Sequence, residues 1–378
     1  MSEVSPDRLT AQALSTDAIE SLAVANRSPI VDPGGLTFVY RGEAEAVNLR
    51  LWIHGLPASQ PFERVGDTDL WVLRVEVPES SRIEYKLERV RDGQEEWILD
   101  PLNPLQAADP FGANSVAQGH GYSRPEWTCA DGQARAGTIE ELAVPSAALG
   151  EDRRIGVYVP ARFRRSRHYP LLVVHDGYDY LRYASLQAVL DNLIHRLEVA
   201  PLIVALTQSP DRLREYAGHD AHARFLAGDM LGALRARLPL EDTPEARGLM
   251  GASFGAVAAL HAAWREPGTF GRLLLQSGSF AFSDIGEHRR GPLFDPVVRF
   301  VNAFRASPGS PSQRIYMSCG TYESLIYENR SLLPLLRERG IDVRYDEARD
   351  AHNWQNWRDR ARSGLSWLFP GPLWMVYE

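Results

Sequence analysis

The chain has 378 residues, of which 44% are hydrophobic and 24% are charged, a composition typical of a globular protein large enough for two domains. The formal net charge of −8 argues against non-specific binding to nucleic acid, which requires a basic surface. Two cysteines exclude a disulfide framework and a thiolate metal cluster, and we expect neither a cofactor nor a bound metal.

Residues 1–28 are polar and are predicted to form a partly helical extension. Residues 1–24 contain acidic side chains early and no continuous apolar core, so no signal peptide is predicted. No apolar run reaches the about 18 residues that a membrane-spanning helix requires. We therefore expect a cytoplasmic protein that binds neither a membrane nor nucleic acid.

The next part of the chain alternates between apolar and polar residues in short segments separated by turn residues. These segments are residues 36–42, 47–53, 70–77 and 82–88. A period of two at regular spacing predicts an antiparallel β-sandwich. Residues 100–104 close this unit, and the stretch rich in Gly, Ala and Asn up to residue 122 is predicted to be a linker. The sandwich and its linker together define a predicted domain over residues 29–122.

The third part, residues 123–378, contains fully apolar segments that alternate with amphipathic ones. An opening β-pair is predicted at residues 140–144 and 154–159. The predicted strands that follow are residues 171–175, 202–206, 248–251, 272–276, 314–319 and 342–346, and the predicted helices are residues 183–198, 221–237, 257–265, 296–305, 329–339 and 356–368. This alternation predicts a mostly parallel sheet covered by helices on both faces. Ligands of such sheets bind at the carboxyl ends of the strands.

A Gly-Ala-Ser-Phe-Gly sequence at residues 251–255 lies between a predicted strand and a small-residue helix. This pattern predicts a nucleophile elbow, in which a sharp strand-to-helix turn presents the Ser253 hydroxyl. Gly251 and Gly255 are expected at points where a Cβ atom would collide with the neighbouring backbone. The alternative is an ordinary Gly/Ser turn before an Ala-rich helix.

A serine nucleophile needs a general base, and the base needs a carboxylate that orients it. His352 follows the last predicted strand, where the base is expected in this chain order. Glu323 follows the preceding strand and is the leading candidate for the acid. Glu328, one helical turn further on, and Asp350, two residues before the histidine, are the alternatives.

Hydrolysis through a tetrahedral intermediate also requires two N–H donors for the oxyanion. We assign one to the backbone of Phe254, directly after the nucleophile. The second is assigned to the backbone of Tyr178, in the loop that follows the first apolar strand, where Gly177 allows a close approach of the chain. An ordinary Asp-Gly turn is the alternative interpretation of this loop.

From about residue 30 onward, the chain resembles the enterochelin (ferric siderophore) esterase-like family of the esterase D superfamily of α/β hydrolases. The most specific of the matching motifs is His-Asn-Trp-Gln-Asn-Trp-Arg at residues 352–358. The other matches are residues 38–42, 68–71 and 100–104 in the predicted sandwich, and residues 176–177, 251–255, 276–280 and 320–323 in the predicted hydrolase part.

This resemblance implies an immunoglobulin-like β-sandwich followed by an α/β-hydrolase domain. It also implies that Ser253 is the nucleophile, that His352 is the base and that Glu323 is the orienting carboxylate. Residues 212–216 resemble the family's Arg-x-x-Glu-Leu segment near the cleft, with Tyr216 in place of Leu. The predicted substrate contacts are Asp176, Gly177, Arg212, Glu215 and Trp354. For Trp354, packing of the last helix onto the sheet is the alternative role.

The leading hypothesis is therefore a serine esterase acting on a ferric siderophore. The chain has Asp-Ala-His-Asn-Trp at residues 350–354 where siderophore esterases tend to have Gly-Gly-His-Asp-Trp. A feruloyl or acetyl esterase acting on sugar esters is thus the alternative, because the same fold hosts both activities. A non-catalytic carbohydrate-binding or scaffold protein is a third hypothesis. A homodimer formed through the sandwich is also considered.

Overall fold

The computed structural model describes residues 28–283 and 290–372, so the predicted extension lies outside the described residues apart from Ser28. These residues form two compact units. Unit 1 comprises residues 28–123 together with residues 321–323 and 349–351, and unit 2 comprises the other described residues. Within these ranges, no helix is both long enough and apolar enough to cross a bilayer.

Unit 1 consists of two antiparallel sheets. Its strands are β1 (Ile30–Asp32), β2 (Gly35–Arg41), β3 (Ala46–Leu51), β4 (Ser59–Pro61), β5 (Glu63–Arg64), β6 (Leu70–Val75), β7 (Arg82–Arg91), β8 (Gln94–Ile98), β9 (Gln106–Asp109) and β10 (Gly112–Gln118). One sheet has the order β1-β2-β6-β5, and the other has the order β4-β3-β7-β10-β9 with β8 paired to β7. Alternating apolar residues from both sheets, such as Phe38, Leu49 and Tyr85, share one core. The prediction of an antiparallel β region is therefore confirmed.

The predicted linker up to residue 122 is wrong in one respect, because strands β9 and β10 lie inside it. Their small and polar residues lack the alternation that marked the earlier strands. They are strands because β10 pairs with β7 and buries Val116 and Ala117. The β7–β8 hairpin was also missed, although Asp92 and Gly93 form its turn with φ values of 52° and 69°.

Unit 2 is built on an eight-stranded sheet. Its strands are β11 (Thr138–Val144), β12 (Arg153–Val159), β13 (Leu171–Val174), β14 (Ile203–Leu206), β15 (Arg247–Ala252), β16 (Arg272–Gln276), β17 (Arg314–Gly320) and β18 (Asp342–Ala348). Their order is β11-β12-β14-β13-β15-β16-β17-β18, with parallel pairing from β14 to β18 and antiparallel pairing at the β11 edge. The prediction of a mostly parallel sheet is confirmed.

Helices flank this sheet. They are α1 (Gly177–Tyr183), α2 (Leu186–His195), α3 (Arg212–Glu215), α4 (Asp220–Arg224), α5 (Leu231–Arg235), α6 (Phe254–Arg265), α7 (Asp295–Ala306), α8 (Ile326–Glu338) and α9 (Trp354–Leu368). A π-helical turn, Phe225–Met230, joins α4 to α5. The predicted helix over residues 183–198 is in fact preceded by α1, and Ser185 separates α1 from α2 with a φ of 51°. Strand β13 is buried on both faces, with Leu171 and Val173 in one core and Leu172 and Val174 in the other.

The strand order places the site. Strand β13 lies between β14 and β15, so the chain moves to one side of β13 first and to the other side later. Such a switch point leaves a crevice at the carboxyl ends of the two diverging strands. The loop after β13 and the turn after β15 therefore lie side by side at this edge.

Candidate active site

Strand β15 leads directly into Ser253, and helix α6 begins at the next residue. Ser253 has a φ of 57° and a ψ of −121°, a backbone conformation that L-residues rarely adopt. Such strain persists only where the surrounding structure maintains it. Here the Ser253 N–H donates to the Gln276 carbonyl at the end of β16 over 2.9 Å. The turn therefore has the geometry of a nucleophile elbow.

The two glycines of the motif lie where another segment of the chain approaches their backbone. A Cβ atom on Gly251 would lie 2.4 Å from the backbone carbonyl carbon and oxygen of Gly255. A Cβ atom on Gly255 would lie 3.2 Å from the Cβ of His175, in the neighbouring loop. Neither contact can be relieved by rotating a side chain. The backbone collision expected for both glycines is therefore present at Gly251, whereas the close neighbour at Gly255 is the His175 side chain.

Sequence reasoning did not assign a role to Ser279, which directly contacts the candidate nucleophile. Its Oγ lies 3.1 Å from the Oγ of Ser253, and its N–H donates to the Ser253 carbonyl over 3.2 Å. The side chain of Ser279 is buried. The signal that points to it is the Gln-Ser-Gly-Ser-Phe motif at residues 276–280, directly after β16 at the same sheet edge.

The candidate base His352 lies between β18 and α9 and is exposed. Its ring packs edge-on against Trp357, with the ring centroids 5.1 Å apart. The Trp357 indole N–H donates to the Ser277 hydroxyl over 2.9 Å, and the Trp357 carbonyl accepts from the Gln276 side chain over 2.7 Å. Because Gln276 also binds the backbone of Ser253, these contacts place His352 at the nucleophile's edge of the sheet.

The loop after β13 supplies the second predicted oxyanion donor. His175 N–H donates to the Met250 carbonyl over 2.9 Å, and Gly177 N–H donates to the Thr207 carbonyl over 2.8 Å. Helix α1 begins at Gly177, so the N–H of Tyr178 lies in its first turn, where no intrahelical acceptor exists. Phe254 is the first residue of α6, so its N–H also lies in the first turn of a helix. Two helix N-termini with unpaired donors therefore lie at one edge.

An ion pair ties this loop to the elbow. Arg212 donates through Nε to the Asp176 carboxylate over 2.8 Å and through Nη2 to the Ala252 carbonyl over 3.4 Å. Its guanidinium also lies 5.8 Å from the ring centroid of Phe254. Burial raises the pKa of Asp176, while the Arg212 charge opposes that rise. Asp176 and Arg212, both predicted substrate contacts, are therefore brought next to Ser253.

Residues 146–367, more than half of the chain, match the family described as Putative esterase. The chain belongs to that family. This membership confirms the prediction of a carboxylic ester hydrolase.

Individual relatives agree with the family. The chain is 25% identical over 337 residues to the iron(III) enterobactin esterase of Escherichia coli O6:H1, covering 81% of this chain and 82% of that protein. The enterochelin esterase of Shigella flexneri has the same fold, with a TM-score of 0.72 at 22% identity, covering 92% of this chain and 97% of that one. The Shigella protein has also been solved in the presence of enterobactin. The resemblance to enterochelin esterase-like proteins is therefore confirmed.

A more distant likeness covers about two thirds of this chain. A ferulic acid esterase from Anaeromyces mucronatus, solved with ferulic acid, aligns with a TM-score of 0.53 at 16% identity. The alignment covers 65% of this chain and 96% of that one. The catalytic fold of this esterase is thus shared with enzymes whose substrates differ.

Two buried histidines of this esterase are in contact at the loop that carries Tyr178, since His175 lies in this loop and His222 belongs to α4. The Nε2 atoms of His175 and His222 are 3.2 Å apart, and Nδ1 of His175 lies 3.1 Å from the Met250 carbonyl. Burial lowers the pKa of His175 to about 4 and that of His222 well below its usual value. Both rings are therefore neutral at pH 7.

Glu215, a predicted substrate contact, lies in the interior. Its carboxylate, 7% exposed, pairs with Arg153 and accepts a hydrogen bond from Ser209 Oγ over 2.6 Å. The buried His222 ring lies nearby, with Nδ1 3.8 Å from the same carboxylate. The short helix α3 directs its two predicted residues differently, because Arg212 reaches the elbow and Glu215 neutralises a buried arginine.

Trp354, the other aromatic candidate, packs in the core. Its ring contacts Trp357 at 4.8 Å, Tyr180 at 5.2 Å and Tyr183 at 5.7 Å between centroids, and the side chain is 8% exposed. This cluster fastens the start of α9 to α1. These contacts agree with the alternative role of Trp354, in which it packs the last helix and does not contact the substrate.

The three candidate carboxylates have different surroundings. Glu323 follows β17 and is 4% exposed. Glu328 forms an ion pair with Arg290. Asp350 lies in unit 1 and pairs with Arg82, with Nη1 3.4 Å from Oδ1.

Proposed function

We propose that this protein hydrolyses the carboxylic ester bonds of a ferric siderophore through a Ser253–His352–Glu323 triad. The observation that carries the proposal is the strained turn at Ser253, because this residue directly precedes helix α6 and the turn is linked through Arg212 to the loop that leads into α1. Such a site suits attack on an ester carbonyl, whose oxygen becomes an anion in the transition state. The family membership and the enterobactin esterase relatives support the same reaction.

Each predicted residue has one task in this mechanism. His352 accepts the Ser253 proton as the hydroxyl attacks the carbonyl carbon, and the backbone N–H groups of Phe254 and Tyr178 bind the oxyanion. The tetrahedral intermediate collapses, and His352 donates the proton to the departing alcohol. Water then attacks the acyl-enzyme with His352 again as the base, which releases the acid and regenerates Ser253.

Glu323 is proposed as the carboxylate that orients His352 and stabilises its cationic form. It follows the strand before the histidine strand, which is the position of the acid in this chain order.

The substrate proposal is a catecholate siderophore with its iron, which is cargo and not a resident metal of the enzyme. The enterobactin esterases of Escherichia coli and Shigella flexneri support it, because their similarity extends over most of this chain, including unit 1. We further propose that the two sheets of unit 1 form an immunoglobulin-like sandwich. Cytoplasmic location and a homodimer remain predictions.

The alternative substrate is a hydroxycinnamoyl or acetyl sugar ester, which the likeness to the Anaeromyces ferulic acid esterase supports for unit 2. A panel of ferric enterobactin, methyl ferulate, an acetylated xyloside and p-nitrophenyl butyrate separates the two, with Ser253→Ala as the blank. Faster turnover of ferric enterobactin than of the other esters is expected. Preference for the ferulate or the xyloside would show that the substrate is a sugar ester and not a siderophore. Turnover equal to the blank on every ester would refute the proposal that the protein is an esterase.

A further inference from the structure

A small cavity lies between the start of β12, the loop after β14 and the helices α3 and α4. The volume that the centre of a water molecule can occupy in it is about 10 Å³, which is about the minimum for one bound water. Three of the side chains that line it each carry a buried polar atom with no hydrogen-bond partner in the described residues: Arg153 Nε, Gln208 Oε1 and His222 Nδ1. Unpaired buried polar atoms are costly, so three around one cavity require an explanation.

The protons on the histidine pair follow from their partners. Nδ1 of His175 faces the Met250 carbonyl, which can only accept, so the proton of this neutral ring is on Nδ1. Its Nε2 is therefore an acceptor, and the Nε2 of His222, 3.2 Å away, must donate to it. The Nδ1 of His222 is then left with a lone pair that needs a donor.

Neither the Glu215 carboxylate nor the Gln208 amide supplies that donor. The Glu215 carboxylate lies 3.8 Å from His222 Nδ1, but it is an acceptor engaged by Arg153 and Ser209. The Gln208 amide is oriented by its NH₂ group, which donates to Asp179 over 3.1 Å, so Oε1 is the atom left unpaired. The cavity therefore presents one donor, the Nε–H of Arg153, and two acceptors.

We propose that one buried water molecule binds in this cavity, and that the resulting chain from Arg153 through the water, His222 and His175 to the Met250 carbonyl positions the oxyanion loop. The water accepts from Arg153 Nε–H and donates to Gln208 Oε1 and His222 Nδ1. This uses three hydrogen bonds, the usual number for a buried water. The positioning role rests on the proposed function, whereas the water site does not.

The positioning role follows from where the chain of hydrogen bonds ends. Met250 belongs to β15, three residues before Ser253, and its carbonyl also accepts the backbone N–H of His175 over 2.9 Å. Loop and nucleophile strand are thus joined by two hydrogen bonds, one of which depends on the tautomer of His175. Two residues separate His175 from Tyr178. His222 therefore acts on the oxyanion only through the loop, and it is a positioning residue.

The water site is tested without activity. A high-resolution crystal structure is expected to show one water about 3 Å from each of the three atoms. Long-range ¹H–¹⁵N spectra at pH 7 are expected to show His175 protonated on Nδ1 and His222 protonated on Nε2. A dry cavity, the opposite tautomers or a charged ring would overturn the site.

The positioning role is tested by hydrolysis of p-nitrophenyl butyrate. His222→Phe removes the donor to His175 and is expected to lower kcat by about 10- to 100-fold with KM within about twofold, since small displacements of catalytic groups cost this much. His222→Gln keeps an N–H donor and is expected to restore most of kcat. Gln208→Met keeps the histidine pair, removes one acceptor of the water and is expected to lower kcat by less than tenfold.

The matched control is His261→Phe, because His261 is equally buried but pairs with Asp220 and lies outside the chain of hydrogen bonds. It is expected to leave kcat within about twofold. An equal loss of kcat in both phenylalanine variants, or no rescue by His222→Gln, would refute positioning while the crystal and NMR results still decide the water site. Loss of the reaction in Ser253→Ala tests the proposed function separately.

Discussion

The guanidinium of Arg212 donates through Nε to the Asp176 carboxylate over 2.8 Å. Because its Nη2 also reaches the Ala252 carbonyl, this ion pair links the loop after β13 to the residue before Ser253. The charge alone does not make this link, since it depends on two donors held in a planar fork.

Arg212→Lys should therefore lower kcat/KM by about tenfold although the positive charge is retained, because a lysine cannot make both contacts in the same geometry. Steady-state hydrolysis of p-nitrophenyl butyrate measures the effect. Arg214→Lys, two residues away and exposed, is the control and should leave kcat/KM unchanged. Equal values for wild type and Arg212→Lys would show that only charge matters at this position.

Ser253→Ala should lower kcat by about 10⁴-fold or more, because the members of a triad act together. Ser279→Ala, which removes the hydroxyl 3.1 Å from the nucleophile, should lower kcat by less than tenfold. If deacylation is slow, the wild-type enzyme should release an initial burst of one equivalent of nitrophenol per active site from p-nitrophenyl butyrate. A Ser253→Ala enzyme within tenfold of wild type would place the nucleophile elsewhere.

Glu323→Gln should cost much less in kcat than His352→Ala, because the carboxylate orients the base and does not itself transfer the proton. Asp350→Asn distinguishes the competing acid. This variant should lower the melting temperature more than kcat, since it leaves the buried Arg82 without one of its two carboxylates. If Asp350→Asn instead lost more activity than Glu323→Gln at equal stability, Asp350 would be the orienting acid.

Gly177→Ala should destabilise the protein by about 2 kcal/mol and lower kcat, because a Cβ atom there would lie 2.6 Å from the Cα of Leu206. Backbone on β14 cannot rotate away, so the oxyanion loop must shift. Gly232→Ala is the matched control, since nothing lies within 4 Å of that position in helix α5. It should stabilise by about 0.5 to 1 kcal/mol through helix propensity. Thermal unfolding of both variants measures the contrast.

Acid should destabilise the folded protein between about pH 6.5 and pH 4. Burial lowers the pKa values of His175 and His261 to about 4 in the folded state, whereas an unfolded histidine titrates near 6.5. The unfolded chain therefore binds more protons in this window, so stability is fully present above pH 6.5 and falls as the pH decreases. His222→Gln removes one such group.

The free energy of unfolding in urea, measured at pH 7, 6 and 5, should decrease less steeply with falling pH in His222→Gln than in wild type. The reason is that unfolding of the variant takes up about one proton fewer. His168→Gln replaces an exposed histidine and should leave the pH dependence unchanged. An unaltered slope in His222→Gln would mean that the pKa of this ring is the same in the folded and the unfolded protein.

Local patterns in the sequence determined the two kinds of sheet, the elbow and the chain order of Ser253, Glu323 and His352. They were readable because periodicity and close-approach glycines act over a few residues. Strands β9 and β10 could not be predicted from the sequence, because their small residues form strands only through the pairing of β10 with β7 and of β9 with β10. The tertiary structure alone decided that Ser279 contacts the nucleophile, that Glu215 neutralises Arg153 and that Trp354 packs in the core. It also joined His175 to His222 across 47 residues of sequence. The partner of a side chain depends on which distant segment of the chain packs against it. The spacing of residues along the sequence does not determine which segment that is.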